Sequence, residues 1–552
     1  MALDAIIIAD SGEDSLSGTN PLRLSLDGKT AFIQVIANYL KNEGQVVPPV
    51  EGDARMSWSS APKLNGIYLL SYLTRHGFDV ELVDRYYDER DRFSHLLEQS
   101  PRSVIISTTF IHSKQALRKL VNDIRALAPD VFIIAGGPFI YLSYLILQRS
   151  REQNYETAAA LDDFLFLNNN DEPSVNLSII SLRGEQILCE ALENIKSNQS
   201  LDAVPNSARL NGGRYSFGSR IDDISDAEKV VIDWGSLPDR VFESGVVSMQ
   251  ASNGCPYNCT FCNFTKDRRL LFMKPLDELI SELKAVLERG VRYVWFADDN
   301  FRLGRGDLHS VLERFIEEEL PILWMSFIRA STLKNVNGEL LRRSGCIEAQ
   351  LGLESSDQKV LQNMNKKASP KLYSDVVRNL LGSGVNCSSY FIFGFPGETE
   401  ETAARTREFI KSIEHPELEG VLSWSMFPFI LSPMSPIYEP EMRKKYGLTG
   451  YMQNWKHRTM DSGRAMEHIR KTFLELEDSG PVSRGDNLDM LFELAPYQRK
   501  KLIALRHKFS KLAMTDHLSK DDLILSFGKV LSVQKDMKNI DVEIKEVGKN
   551  MH

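Results

Sequence analysis

The sequence predicts an α/β protein of two successive units followed by a mostly helical region. The first unit, residues 1–205, reads as a doubly wound parallel sheet. Residues 206–240 read as a linker, 241–440 as a part-barrel of parallel strands, and 441–552 as helices. Three observations carry this prediction. Short apolar runs alternate with amphipathic stretches through both α/β units. The runs end on small or acidic residues, as strand ends at a ligand-binding edge do. The strand pattern then stops near residue 440.

In the first unit "DAIIIAD" is a strand, "NGIYLLSYLTRHG" has helical spacing closing on Gly77, and "FDVELVD" alternates as a second strand. "RSVIISTT", the helical "SKQALRKLVNDIRALAP" and "VFIIAGGP" continue the βαβ rhythm. Strand ends fall at Asp84, at Ser107, Thr108 and Thr109, at Gly136, Gly137 and Pro138, and at Arg183, Gly184 and Glu185. Small residues at such ends let a large ligand approach the backbone, although tight turns account for any one of them. "NNNDEPSVN" is a polar surface loop, and "LNGGRYSFGSRIDD" fits a linker or small hairpin. The second unit offers the strands "VVSMQAS", "VRYVWFAD", "LWMSFIRA", "CIEAQLGLE" and "CSSYFIFGFPG", with helices such as "PLDELISELKAVLERG" between them. Catalytic groups are expected at the carboxyl ends of these strands. The two segments 442–477 and 496–514 are helical in pattern, and the charged tail 536–552 is expected to fray.

Composition excludes several classes. The chain is 42% hydrophobic and 26% charged with a net charge of −9, which lacks the basic footprint of a nucleic-acid binder. No apolar run is long enough to span a bilayer, and "MALDAIIIADSGED" lacks the features of a signal peptide. A cytoplasmic protein is expected, with reduced thiols, so clustered cysteines point to metal or catalysis. Cys189, Cys346 and Cys387 stand alone among apolar or small neighbours and read as buried small hydrophobes.

Half of the six cysteines lie in "SNGCPYNCTFCNF", where Cys255, Cys259 and Cys262 follow C-x3-C-x2-C. A structural zinc needs four ligands, and no histidine or further thiol is near. A redox C-x-x-C pair leaves Cys255 without a task. An iron–sulfur cluster held by three thiolates uses all of them and leaves one iron open.

This spacing resembles the radical S-adenosylmethionine (SAM) superfamily, in which a [4Fe–4S] cluster chelates SAM through the open iron. The resemblance extends through 245–400 in the order of the family's motifs. Phe261 stands where the family sets an aromatic beside the adenine. Asp298, Asp299 and Asn300, in "FADDNF", replace the glycine-glycine-glutamate turn that holds the SAM amino group, so either carboxylate is a candidate; an acidic strand-end turn is the alternative. Arg329 is the candidate for the SAM carboxylate, suited by its bidentate guanidinium. Glu354 and Ser355 fall at the ribose and carboxylate positions, and Gly394 with Pro396 and Gly397 on the strand near the adenine. The resemblance implies a (β/α)6 part-barrel of the TIM type, in which a reduced cluster cleaves SAM to a deoxyadenosyl radical.

The front unit resembles the Rossmann-like cobalamin-binding domain of the cobalamin-dependent branch. That likeness implies cobalamin contacts from Ser107, Thr108, Thr109, Gly136, Gly137, Pro138, Gly184 and Glu185. The Asp-x-His-x-x-Gly loop of cobalamin mutases is absent, and His112 lacks its flanking pattern and reads as a surface residue. Methylthiotransferases, which hold a second cluster on N-terminal cysteines, are excluded because no cysteine precedes Cys189. The branch implies transfer of a methyl group from SAM through methylcobalamin to an unactivated carbon or phosphinate phosphorus of a small metabolite. A rearrangement, ring contraction or cyclisation is the alternative. An external one-electron reductant of the flavodoxin or ferredoxin type is implied as partner. The "NWKHRTMDSGRA" segment is similar to the phosphinate P-methyltransferases. It suggests Trp455, His457 and Arg458 as contacts for an anionic substrate, a solvated helix face being the alternative.

Overall fold

The computed structural model describes residues 3–12, 25–26, 29–30, 56–168, 172–222, 231–263, 272–301, 308–485, 488–493 and 495–514; the charged tail 536–552 lies outside them. They fall into two compact units. One draws on Met1–Ser15, Pro62–Val241 and Tyr438–Glu441, the other on Leu16–Ala61, Phe242–Ile437 and Met442–His552.

In the first unit, β1 (Ala5–Asp10), β2 (Val80–Arg85), β3 (Ser103–Ser107), β4 (Phe132–Gly136) and β5 (Leu177–Ile179) form a parallel sheet in the order 2-1-3-4-5. All of β1 and β3 is buried, as expected of strands covered on both faces. Ile7 sits between Leu82 and Ile105 in register. The helix α3 (Lys114–Leu127) turns Leu117, Leu120, Val121 and Ile124 inward and is capped by Ser113, whose side chain accepts from the Ala116 amide. The strand order reverses between β1 and β3, which makes their carboxyl ends the ligand edge of the sheet. Within the expected linker, β6 (Ser207–Asn211) and β7 (Arg214–Phe217) form a hairpin that extends this sheet antiparallel beyond β5.

In the second unit seven parallel strands run in sequential order: β8 (Val246–Met249), β9 (Tyr293–Phe296), β10 (Leu323–Phe327), β11 (Cys346–Glu354), β12 (Asn386–Phe393), β13 (Leu422–Pro428) and the short β14 (Gly480–Pro481). This is the part-barrel, with β14 supplied from the C-terminal region. The outward face packs under helices: Trp324 with Phe296 and Phe315, and Trp424 with Phe473 and His507. On the opposite face Trp295, Phe327, Glu348, Gly352, Tyr390 and Ile392 keep part of their surface exposed. A closed barrel fills its interior with side chains; here the side chains of the interior face line a lumen and keep part of their surface uncovered. Its floor is apolar, built from Trp58, Tyr293, Met325 and Leu488 with Phe492 alongside. Among the described residues no helix is long and apolar enough to cross a membrane.

Candidate active site

The cysteine loop leaves β8 and is fastened by the turn after β9. The Asp298 carboxylate, 2% exposed, accepts hydrogen bonds from the amides of Ala251 (2.9 Å) and Ser252 (2.7 Å) and from the Ser252 hydroxyl (2.5 Å). Burial pushes its carboxyl up to about 7, against the pull of these donors. Asp299 is exposed, and one of its oxygens accepts from the Gly254 amide at 2.9 Å, directly before Cys255. The adjacent acids therefore divide the work: Asp298 is consumed in holding the loop, and Asp299 faces outward beside it. Asn300 accepts from the Arg329 amide at 3.0 Å, while its buried Nδ2 has no partner among the described residues.

Arg329 brings positive charge to the thiols. Its Nη1 donates to Cys259 Sγ at 3.4 Å, its plane lies 3.7 Å from the Tyr257 ring centroid, and Nη2 donates to the Lys366 carbonyl. The buried Nε has no partner among the described residues. Burial pushes the Cys255 thiol up, opposed by the Tyr257 amide and by Arg329. The far side of the loop is tied to the end of the helix Gln358–Asn363: Thr260 donates from its amide to Met364 O (3.0 Å) and from its hydroxyl to Asn363 O (2.8 Å), and Asn365 donates to Asn258 O (2.7 Å). Cys259 is buried, while Cys255 and Cys262 are half-buried. Among the described residues no three His, Cys, Asp or Glu side chains are gathered tightly enough for a single metal ion. Three thiols on one loop, each oxidisable and none paired in a disulfide, suit a larger inorganic cluster instead.

At the end of β11, Glu354 adopts φ 66° and pairs with Lys366 at 2.7 Å, both side chains nearly buried. A non-glycine residue held in the left-handed region is strained, and such strain gathers at functional sites. Gly352 makes room, since a Cβ there would stand 3.0 Å from Lys366 Nζ. Lys366 also lies 5.8 Å from the Phe261 ring centroid. Sequence reasoning missed Lys366, because only the fold brings it back over Glu354. Ser355 is placed differently from expectation. It is fully buried, its hydroxyl accepts from the Asp357 amide at 3.1 Å, and it lies 3.4 Å from Thr406 Oγ1, inside the fold and away from a ligand surface.

Gly394 ends β12 at φ 83°, and its close neighbours correct another expectation. A Cβ there would run into the Trp455 ring and lie 2.7 Å from Ala465 Cβ. Trp455 and His457 are each 3% exposed. The indole donates to Phe429 O at 2.6 Å, and His457 Nε2 lies 3.0 Å from Gly394 O. Their rings stack, and Phe261, Phe395, Phe429 and Trp455 form a run of edge and tilted contacts. Trp455 and His457 are thus not substrate contacts but a wedge supporting the Gly394 strand end. Arg458, outside this wedge, donates to Lys444 O at 3.3 Å on the surface. Pro396 O accepts from Asn363 at 3.1 Å, and Gly397, at φ 97°, lets Asn363 approach.

In the first unit Ser107, Thr108 and Thr109 lie at the switch point, while the other predicted residues follow the next two strands. Asn65 donates to Ala9 O and to Ser107 Oγ, both at 2.8 Å, and Ser107 lies 3.2 Å from Thr109 Oγ1. Lys63 pairs with Asp10 at 3.1 Å, and its amide donates to Asp84 at 2.6 Å. Thr108 is buried and donates to Gly136 O, so only its neighbours are placed to meet a ligand. Gly137 takes φ 112°, and a Cβ there would lie 3.1 Å from Thr108 Oγ1; Pro138 then opens the helix Pro138–Arg149. Gly184 packs against Ile179, and Glu185 begins the helix Glu185–Lys196. His112 is exposed, as expected of a surface residue, and partial desolvation, opposed by Asp10, lowers its basicity. Lys63 and Asn65 were missed because their helix start carries no motif.

Residues 249–410 match the model of the radical SAM superfamily, and the chain carries a radical SAM domain. Among curated relatives it is 22% identical over 443 residues to an uncharacterized methyltransferase, PH0819, of Pyrococcus horikoshii, covering 77% of this chain and 88% of the relative. It is also 25% identical over 353 residues to the anaerobic magnesium-protoporphyrin IX monomethyl ester cyclase of Cereibacter sphaeroides, covering 60% of this chain and 56% of that enzyme. The cobalamin-dependent SAM radical enzyme OxsB, solved with aqua-cobalamin and SAM bound, shares the fold at TM-score 0.57 and 14% identity, over 100% of this chain and 81% of that one. The two-sheet architecture is therefore the fold of that enzyme.

Proposed function

We propose that this chain is a cobalamin-dependent radical SAM methyltransferase acting on an unactivated carbon or phosphinate phosphorus of a small metabolite. The observation that carries the reading is the three-thiol loop clamped by Asp298 and flanked by Asp299, Arg329 and Lys366. Cys255, Cys259 and Cys262 would hold the [4Fe–4S] cluster. Asp299 would meet the SAM ammonium group, Arg329 and Lys366 its carboxylate, and Phe261 and the Gly394 strand end its adenine. The unpartnered Arg329 Nε and Asn300 Nδ2 fit an acceptor-rich ligand at this place. Ser107, Thr109, Gly136, Gly137 and Glu185 would edge the cobalamin site in the first unit. The cofactors, when bound, supply SAM cleavage to a radical and a carrier for the methyl group. The protein's part is to fix SAM by its charged ends and to hold the loop rigid against Asp298. An external one-electron reductant and a cytoplasmic setting complete the reading.

The methyltransferase relative spans most of its own length in the match, which favours methyl transfer; the cyclase relative supports ring formation as the second reading. Methyl-labelled SAM separates them. After anaerobic reconstitution with iron, sulfide and hydroxocobalamin, methyl transfer yields both S-adenosylhomocysteine and 5′-deoxyadenosine, with label in the product. Deoxyadenosine alone, with an unmethylated product, selects the second reading. Failure to retain cobalt while the cluster forms refutes both.

A further inference from the structure

The lumen of the second unit holds a polar group that the cofactor site does not use. Arg484, carried in after β14, donates to Glu348 at 2.7 Å and to the Tyr390 hydroxyl at 2.8 Å, and Ser388 also donates to Glu348 at 2.7 Å. The pair is four-fifths or more buried, so the guanidinium is already matched by a carboxylate in a poorly solvated place. Next to it stand two unmatched groups of opposite kind. Gln350 is fully buried; its Nε2 faces Met325 Sδ at 3.1 Å, and its Oε1 accepts from none of the described residues. Trp295 is the register partner of Met325 and its ring centroid lies 5.9 Å from the Arg484 guanidinium, and its buried Nε1 donates to none of the described residues. An unmatched acceptor and an unmatched donor around one methionine call for a guest that brings a donor and an acceptor close together. Aromatic rings wall the same space, Phe327 lying 5.4 Å from Tyr390. From Glu348 to Glu354 the strand rises roughly 20 Å, so this floor is well below the Glu354–Lys366 pair, which packs over Gly352.

We propose that the lumen takes the head group of the substrate, and that this group is a neutral amide, lactam or comparable donor–acceptor pair, not an anion. Gln350 Oε1 receives its N–H and Trp295 Nε1 donates to its oxygen, while the closed Arg484–Glu348 pair offers no net charge to a carboxylate or phosphonate. The inference rests on the barrel being the reaction chamber of the proposed enzyme, yet it concerns binding and is tested without turnover.

The test uses 1-naphthamide and 1-naphthoate, a matched amide and carboxylate, added to the full reconstituted chain without SAM and followed by ligand-observed saturation-transfer NMR. The amide is expected to bind about three- to tenfold more tightly, the worth of one or two hydrogen bonds. Q350L and W295F should each erase most of that preference. E348Q leaves Arg484 unmatched and should turn the preference toward naphthoate; should E348Q fail to fold, Q350L and W295F decide. Equal or tighter naphthoate binding in the parent chain overturns the proposal. So do absence of binding by either probe, a preference that survives both Q350L and W295F, and a folded E348Q with no gain for naphthoate. Loss of methyl transfer in the labelled-SAM experiment leaves this result untouched, and the reverse also holds.

Discussion

Replacing Asp298 and Asp299 one at a time separates loop support from ligand contact. Asp298→Ala strips the partner from two amides and one hydroxyl in a site that water does not reach. A buried donor left unsatisfied costs about 1–3 kcal/mol, so a total of about 3 kcal/mol or more is expected, a large share of a typical domain's stability. Asp299→Ala removes the hydrogen bond from Gly254 at an exposed position, and loss of that bond costs about 1 kcal/mol. Urea unfolding of the apo chain reads these costs, and iron and sulfide content after anaerobic reconstitution reads the loop. D298A should lose both stability and most of its iron. D299A should keep its iron yet bind SAM roughly 10- to 100-fold more weakly, the worth of a charge-assisted contact. The reasoning is refuted if D298A takes up iron like the parent chain, or if D299A loses iron to the same degree as D298A.

Lys366→Met leaves Glu354 charged and buried, with an expected loss of about 3–5 kcal/mol in chemical denaturation; the double variant with Glu354→Gln should recover much of it. Gly394→Ala sets a Cβ against Trp455 at a left-handed φ and should cost several kcal/mol, part of which Trp455→Ala in the same chain relieves. Burial pushes the Glu398 carboxyl up to about 8, so between the ordinary glutamate range and that value the folded chain keeps a proton the unfolded chain has released. Its stabilising contribution is therefore complete at acid pH and is lost as pH rises toward 8, with a slope of at most about 1.4 kcal/mol per pH unit. Denaturation midpoints across pH 5–8 should show this fall in the parent chain and a flatter profile in E398Q.

Both sheets were legible because they rest on continuous apolar runs. "AIIIAD" and "SVIIS" are strands wherever helices cover them on two sides. The cysteine loop was legible because its three thiols lie close together in sequence at a spacing that is itself the motif. Which acid of the Asp298–Asp299 pair faces a ligand was not legible, since adjacent residues differ only in direction and direction is set by Ala251 and Ser252. Trp455 and His457 misled for a related reason. A polar, aromatic segment after a barrel reads as a binding surface, yet the absence of a side chain at Gly394 draws both rings into the core. The signal for that was available in Gly394 alone, a glycine ending a strand of large apolar residues.

The same distinction explains why the cofactor chemistry is easier to derive than the substrate. The cluster loop draws its thiols from within a few positions, and its supports lie at the ends of the next strands. The lumen instead joins Trp295, Glu348, Gln350, Tyr390 and Arg484, which no local pattern links. Its floor is closed by Trp58 and Leu488 from distant parts of the chain, with the Ser59 amide bonded to Arg484 O at 2.9 Å. Substitution at these floor positions changes the shape and polarity offered to a substrate while leaving every cysteine, Asp299, Arg329 and Lys366 in place. In the proposed function, specificity and cofactor handling are thereby physically separable within one barrel. That separation allows relatives sharing the cofactor motifs to differ in the molecule they transform.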